Sequence, residues 1–340
     1  MKKLSWIMLP LLLFWSHLIS GQVIDSIKFF TDEKLIDMSV TTDIKGLQSE
    51  KKLDVFQDAD VTMRFPDSSV ITQKAGIGAR GHFRREFCTI PPLMLNFRGA
   101  SSKLSSLGKL KLVIGCGSKA DDEQLIFKEY LAYKIYNLLE EKSFRVRLVR
   151  VNYNDSKNKM KSFTQYAFFI EDDNDMARRN GCVKKEKLQV LTESTNRDMM
   201  TMVAVFEYMI SNGDWSVPNN HNTKLIYEKK IPAALPYVVP YDFDHSGFVN
   251  AGYALPNELL GTETVTERVY RGFPRTMEEL ESVFDVFRKE KDKIYSLIMG
   301  FSLLKERARK DAVEYLDDFY KTINNKGQVK TIFIDGARTK

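Results

Sequence analysis

The stretch from Ser211 to Gly247 reads SNGDWSVPNNHNTKLIYEKKIPAALPYVVPYDFDHSG. Thr223–Glu228 and Tyr237–Pro240 are two β-prone runs separated by a turn that contains proline, so the pattern predicts a hairpin. That hairpin carries a polar loop at each end. Asp214, His221 and Asn222 precede it; Asp242 and Asp244 follow it.

Upstream, Arg197–Ser211 places Met199, Met202, Val203, Phe206, Met209 and Ile210 on one helical face, and these methionines read as core. Gly213 stands where a left-handed turn would stop this helix and release Asp214. Before the helix lies the acidic link Glu171-Asp172-Asp173-Asn174-Asp175, which reads as a boundary between 22–175 and 176–340. It reads either as a solvated charge run or as a hinge whose backbone meets an adenine ring.

The first half is rich in β-prone runs. Leu35–Val40, Val61–Phe65, Val70–Thr72, Leu93–Phe97, Lys109–Ile114, Ser143–Tyr153 and Phe163–Glu171 are separated by polar turns. Asp122–Leu139 is helical, with Leu125, Glu129, Ala132, Tyr136 and Leu139 on one face. A carboxylate on such a stripe is costly unless a cation or donors satisfy it. Glu129 either pairs with Lys111, or failing that Lys109, on the preceding strand, or reaches water at the stripe's edge. Arg80-Gly81-His82-Phe83-Arg84-Arg85 reads as a solvated basic turn or a phosphate-facing loop. In the second half, Met277–Met299 and Leu303–Ile323 are long amphipathic helices, and Val329–Ile334 reads as a short strand.

Composition sets limits. The chain has 340 residues, 43% hydrophobic and 28% charged, which suits one large or two small domains. A net charge of +6, spread along the chain and including Lys2 and Lys3, gives no case for nucleic acid. Met1–Gly21 combines those lysines, an apolar run and small residues, the pattern of a signal peptide cleaved near Gln22. The mature chain then has no membrane span and is exported: periplasmic, cell-surface or secreted. Of its three cysteines, Cys88 and Cys116 lie beside strands of one half, which favours them as a disulfide over three free thiols.

The polar loops suit phosphoryl transfer. That chemistry uses one Asp to orient the acceptor hydroxyl, then an Asn and an Asp to hold Mg²⁺ on the phosphates. Taken singly, Asp214 also reads as a turn residue, and Asp242 and Asp244 as solvated turn carboxylates.

The order of parts carries a resemblance. Arg80-Gly81 before a Pro-containing strand, Lys128-Glu129-Tyr130-Leu131-Ala132-Tyr133, Tyr166–Glu171, His221-Asn222 after Asp214, and Pro240-Tyr241-Asp242-Phe243-Asp244 with Gly247 resemble the CotH-type spore-coat kinases. These are exported, atypical kinase-like enzymes, and the likeness covers about Arg80 to Gly247. It implies an α+β, protein-kinase-like two-lobed fold with a β-rich N-terminal lobe and a mainly helical C-terminal lobe. It implies ATP and Mg²⁺ as cofactors and an unidentified protein substrate as partner. Asp214 would be catalytic, Asn222, Asp242 and Asp244 metal ligands, and Lys111, Glu129 and Glu171 nucleotide-binding. The family's basic strand is here Pro91–Asn96 without a cation, so the nucleotide cation would be Lys111 or Arg84. Gly76, Gly78 and Gly81 do not follow a strand into a helix as a phosphate loop would. A catalytically inactive scaffold or envelope-associated binding protein is the alternative.

Overall fold

Burial alternates residue by residue along Ile36–Thr42, the first strand (β1). Its partners decide the architecture of this chain, seen in a computed structural model that describes residues 24–339 except 82, 100–102, 118–119, 186–188 and 232. The proposed signal peptide, Met1–Gly21, lies outside the described residues. Six further strands follow β1: Gln57–Arg64 (β2), Val70–Ala79 (β3), Leu93–Asn96 (β4), Lys109–Ile114 (β5), Val146–Asp155 (β6) and Phe163–Ile170 (β7). They pair in the order β1-β2-β3-β4-β5-β7-β6. β1 pairs antiparallel with β2, from Asp37 opposite Arg64 to Thr41 opposite Asp60. On its other side it pairs parallel with β6, from Ile36 opposite Val149 to Thr42 opposite Asp155.

Those two pairings close the sheet into a barrel. The kinase-like two-lobed fold expected from the resemblance is therefore corrected: instead of a lobe built on an open sheet, the chain has a closed seven-stranded barrel and a helical C-terminal part. Closure leaves no barrel edge strand with unpaired backbone groups. Inside are Ile36, Met38, Val40, Val61, Met63, Ile77, Leu93, Leu95, Leu110, Leu112, Val151 and Phe169, all buried. Alternation makes one face of each strand the core.

Short helices Ser26–Phe29 (α1), Ile44–Ser49 (α2) and Phe83–Phe87 (α3) decorate the barrel, and Ala120–Leu139 (α4) crosses its outer face. Ile126, Phe127, Leu131, Tyr133, Ile135 and Tyr136 of α4 are all buried. They face both the outer side chains of β6 and β7, such as Leu148 and Phe168, and the C-terminal part. A helix covered on most sides buries its polar residues too, and Glu129 is only 1% exposed. This excludes the reading in which Glu129 reaches water.

After Asp173–Arg179 (α5) come Cys182–Lys184 (β8), Arg197–Met209 (α6), Thr223–Glu228 (β9) and Tyr237–Pro240 (β10). The strands form a small sheet in the order β10-β9-β8. The hairpin thus lies where its β-prone runs placed it. Helix α6 ends in a left-handed turn, but at Ser211 (φ 52°) rather than at Gly213. The Asn212 N–H donates to Glu207 O at 2.8 Å and the Ser211 N–H to Tyr208 O at 3.1 Å, which closes a Schellman turn.

Met277–Gly300 (α7) opens with a capping box between Thr276 and Glu279. Glu306–Ile323 (α8) packs against α7. The expected strand at Val329–Ile334 is instead helical: Lys326–Val329 (α9) runs into a π-turn over Lys330–Asp335. Phe333 explains this, since its ring inserts between Tyr208, Tyr270 and Phe284. Cys88 and Cys116 form the favoured disulfide, and Cys182 is free and buried. Among the described residues, no helix is long and apolar enough to cross a membrane.

Candidate functional site at the ends of the hairpin

Pro240 pairs with Thr223, and the Tyr241 N–H donates to Asn222 O at 3.0 Å. This last rung sets the two polar loops side by side. Both then leave the strand direction, with Asn222 at φ 51° and Asp242 at φ 66°. Left-handed backbone is tolerated best by Asn, Asp and Gly. The strand itself ends at Pro240, where its β-prone run ends.

In the first loop, Ser216 and His221 exchange two backbone hydrogen bonds of 2.9 Å, which holds His221 over Asp214. His221 Nε2 lies 2.7 Å from Asp214 Oδ1. Asn222 Nδ2 donates to Asp214 Oδ2 at 3.0 Å and to Asp214 O at 2.7 Å. The Asp214 N–H donates to Asn212 Oδ1 at 3.0 Å. Burial raises the Asp214 pKa, but the bond and charge of His221, then His245 and Asn222, outweigh it and hold the group below the ordinary carboxylate range. The same bond raises His221.

In the second loop, Phe243 is the anchor. It is fully buried, its ring 4.6 Å from Tyr133 of α4 and 5.4 Å from Phe206 of α6. The Asp242 N–H donates to Tyr133 Oη at 2.8 Å. Downstream, the Gly247 N–H donates to Ser211 O at 3.0 Å. A side chain at 247 would meet Val265 O at 2.5 Å and Thr266 Cα at 2.7 Å, so only glycine allows this approach.

Carboxylates crowd here. Asp244 accepts from Tyr253 Oη at 2.9 Å and lies 3.7 Å from Arg84 Nη1. Burial and then Asp244 push Asp242 up, against the pull of Arg80, Arg84 and Lys111. Burial, Asp244 and Asp242 push Glu129 well above the ordinary range, with Arg84 and Arg80 opposing. Among the described residues, Glu129 Oε1 has no hydrogen-bond partner. Glu129 thus belongs to the same cluster as the two aspartates.

Two sequence expectations change. Lys111 makes no ion pair with Glu129; its ammonium lies 2.9 Å from Asp173, with Lys184 at 3.3 Å and Lys224 at 3.6 Å from the same carboxylate. Lys109 pairs with Asp54 at 3.0 Å. Lys109, Lys111 and Val113 all leave the barrel on the outer side of β5; α4 packs over Val113, and the two lysines meet other carboxylates instead. Glu171 is fully buried, gripped by Arg179 at 2.9 Å and by the Arg145 N–H at 3.1 Å. Its own N–H donates to Arg145 O at 3.0 Å, so neither its carboxylate nor its N–H is open to an adenine ring.

Several site residues were not singled out from sequence. Asp173 was read only as part of an acidic run and Tyr133 only as the end of a resemblance segment, while Lys224, Tyr253 and Arg271 carried no signal. Arg84 was legible in the basic segment at 80–85, whose solvated-turn reading fails because Arg84 is nearly buried against Asp244. Lys111 and Lys224 also lie over the Tyr241 ring, at 5.3 and 5.0 Å. Three lysines around one carboxylate leave positive charge uncompensated beside Asp242. A cleft of about 350 Å³ opens at Asp214 and His245, walled by Leu255, Asn257, Leu260 and Val265.

Among the described residues, no three His, Cys, Asp or Glu side chains form a metal cage. Mg²⁺ asks for less: one or two carboxylates, water and substrate phosphates. The donors fit that demand. Asn222 spends its Nδ2 on Asp214, which leaves Oδ1 as an acceptor, and the repulsion among Asp242, Asp244 and Glu129 is only partly offset by Arg80, Arg84 and Lys111. Comparison with models of known protein families and with curated proteins finds no match to this chain.

Proposed function

We propose that this chain is an exported Mg²⁺-dependent enzyme that transfers the γ-phosphoryl group of ATP to a protein hydroxyl. One observation carries the reading: a single hairpin rung sets Asp214 and Asn222 against Asp242 and Asp244, with Arg84, Lys111 and Lys224 nearby. The disulfide is compatible with an oxidising compartment outside the cytoplasm. The proposal rests on this site and not on a kinase-like fold.

Asp214, held ionised, accepts the hydrogen bond of the acceptor hydroxyl. Its two oxygens offer about four acceptor positions, of which His221 and Asn222 occupy two. The acceptor oxygen forms the new P–O bond, the bond from the γ-phosphorus to the β–γ bridging oxygen breaks, and ADP leaves. The hydroxyl proton passes to Asp214. Asn222, Asp242 and Asp244 would hold Mg²⁺, which supplies charge neutralisation on the phosphates. Lys111, Lys224 and Arg84 offer further positive charge. Such a site acts mainly by positioning and electrostatics.

Calorimetric titration with ATP and Mg²⁺, beside a single-turnover transfer assay, tests this. Asp242→Ala abolishes Mg²⁺-dependent binding and Asp244→Ala weakens it. Asp214→Ala keeps binding and loses transfer. If Asp214→Ala loses binding as badly as Asp242→Ala, the division of roles is wrong. The second reading, a non-catalytic binding protein, is favoured by the engagement of Lys111 with Asp173. That reading predicts no ATP-dependent stabilisation, whereas ATP at a hundred times its Kd stabilises a true binder by about 2.7 kcal/mol.

A further inference from the structure

Beside the Asp214 loop runs a second groove of about 500 Å³. Arg271, Arg338, Phe273, Trp215 and Leu191 line it. Arg271 Nη1 donates to Gly213 O at 2.5 Å and to Trp215 O at 2.8 Å, so one guanidinium brackets Asp214 from both sides. It also lies over the Trp215 ring at 4.9 Å, and among the described residues its buried Nε has no hydrogen-bond partner. The Arg338 N–H donates to Gly272 O at 2.9 Å, which fixes the C-terminal segment beside Arg271, and its guanidinium lies 5.5 Å from the Phe273 ring.

Among the described residues, neither arginine has an ion-pair partner. Glu193 also lines the groove, but Arg275 at 2.9 Å and Arg197 at 3.4 Å take up its charge. Burial, and then the charge of Arg338, hold Arg271 below the ordinary guanidinium value. Two half-buried like charges thus face one groove, and Glu207 and Asp214, the carboxylates that act on Arg271, offset its burial only in part.

We propose that this groove binds an anionic side chain of the acceptor polypeptide, Glu, Asp or phosphoserine, within a few residues of the hydroxyl that Asp214 orients. The proposal rests on the phosphoryl-transfer reading for what lies at Asp214. An extended chain advances about 3.3 Å per residue, so a segment passing Asp214 soon reaches the arginines. Guanidinium forks pair with carboxylate and phosphate through two parallel hydrogen bonds. The apolar share of the lining, from exposed Leu191 and from Phe273, suits a polypeptide rather than a free anion. Because Arg271 holds both neighbours of Asp214, an anion bound there also steadies the loop that presents the acceptor.

The test titrates the full chain by calorimetry with the acetylated peptides Gly-Ser-Gly-Glu-Gly, its Gln and Lys counterparts and its phosphoserine counterpart, and with inorganic phosphate. The Glu peptide binds about three- to fivefold more tightly than the Gln peptide, the upper range for a partly exposed ion pair, and phosphoserine binds more tightly still. Arg338→Gln erases the preference and Arg338→Lys keeps most of it. Equal affinity for the Glu and Gln peptides overturns the proposal, as does a preference that survives in Arg338→Gln. Inorganic phosphate binding as tightly as the phosphoserine peptide overturns the polypeptide assignment. ATP and Mg²⁺ titrated into the same samples separate the two proposals. Anion preference without ATP binding supports the groove and sinks phosphoryl transfer; ATP binding without anion preference does the reverse.

Discussion

Replacing Glu207 with Gln should stabilise this protein at neutral pH. Glu207 lies on α6 directly before the Schellman turn that launches the Asp214 loop. It is 1% exposed, and among the described residues neither carboxyl oxygen has a hydrogen bond of good geometry, the Asn212 amide lying close without one. Burial pushes its pKa up to about 8, with the Asn212 amide and Arg271 opposing and Asp214 adding to the rise. Tyr136 faces it from α4. The folded protein therefore keeps a proton that the unfolded chain loses near pH 4.5. Folding takes up that proton, so stability falls as pH rises from about 4.5 and levels off above about 8. Between pH 4.5 and 7 each pH unit costs about 1.4 kcal/mol, for a loss of roughly 3 kcal/mol.

Gln is neutral at every pH and close in shape. At pH 7 Glu207→Gln should exceed the native chain by roughly 2–3 kcal/mol, and at pH 4.5 the two should differ by less than about 1 kcal/mol. Urea unfolding at intervals from pH 4.5 to 8.5 measures this, because the difference between the two chains cancels every other titrating group. If the two stability curves run parallel across that range, Glu207 is ionised in the folded protein and the reasoning fails.

Two more outcomes follow from the same framework. Cys88→Ser should cost about 3.5 kcal/mol, the chain-entropy value for the 28-residue separation of its disulfide, and reducing agent should then leave the variant unchanged in the same urea assay. Phe243→Ala should cost about 3–5 kcal/mol by emptying the space between Tyr133 and Phe206, and should weaken ATP binding as well, since Asp242 and Asp244 flank that ring. Loss of stability with native nucleotide affinity would show that the ring does not aim the two carboxylates.

Local chemistry was legible in the sequence wherever neighbours along the chain decide the structure. The hairpin at Thr223–Pro240 is set by β-prone runs around a turn, and α6 and α7 by helical periodicity and capping. The disulfide followed from two cysteines beside strands of one half. Partners distant in sequence were not legible. β1 could be read as a strand, but nothing in Leu35–Val40 says that it lies along β6, more than a hundred residues away, and that one pairing separates a closed barrel from an open sheet. Lys111 and Glu129 were rightly placed on a strand and a helix, yet the layer each side chain enters depends on how α4 crosses the barrel. One therefore meets Asp173 and the other is buried beside Asp242 and Asp244. Spacing fixes which residues share a face. Which face meets which is settled only when the whole apolar surface is buried at once, and this places Arg84, Arg271 and Tyr133 around carboxylates from which their positions in the chain are remote.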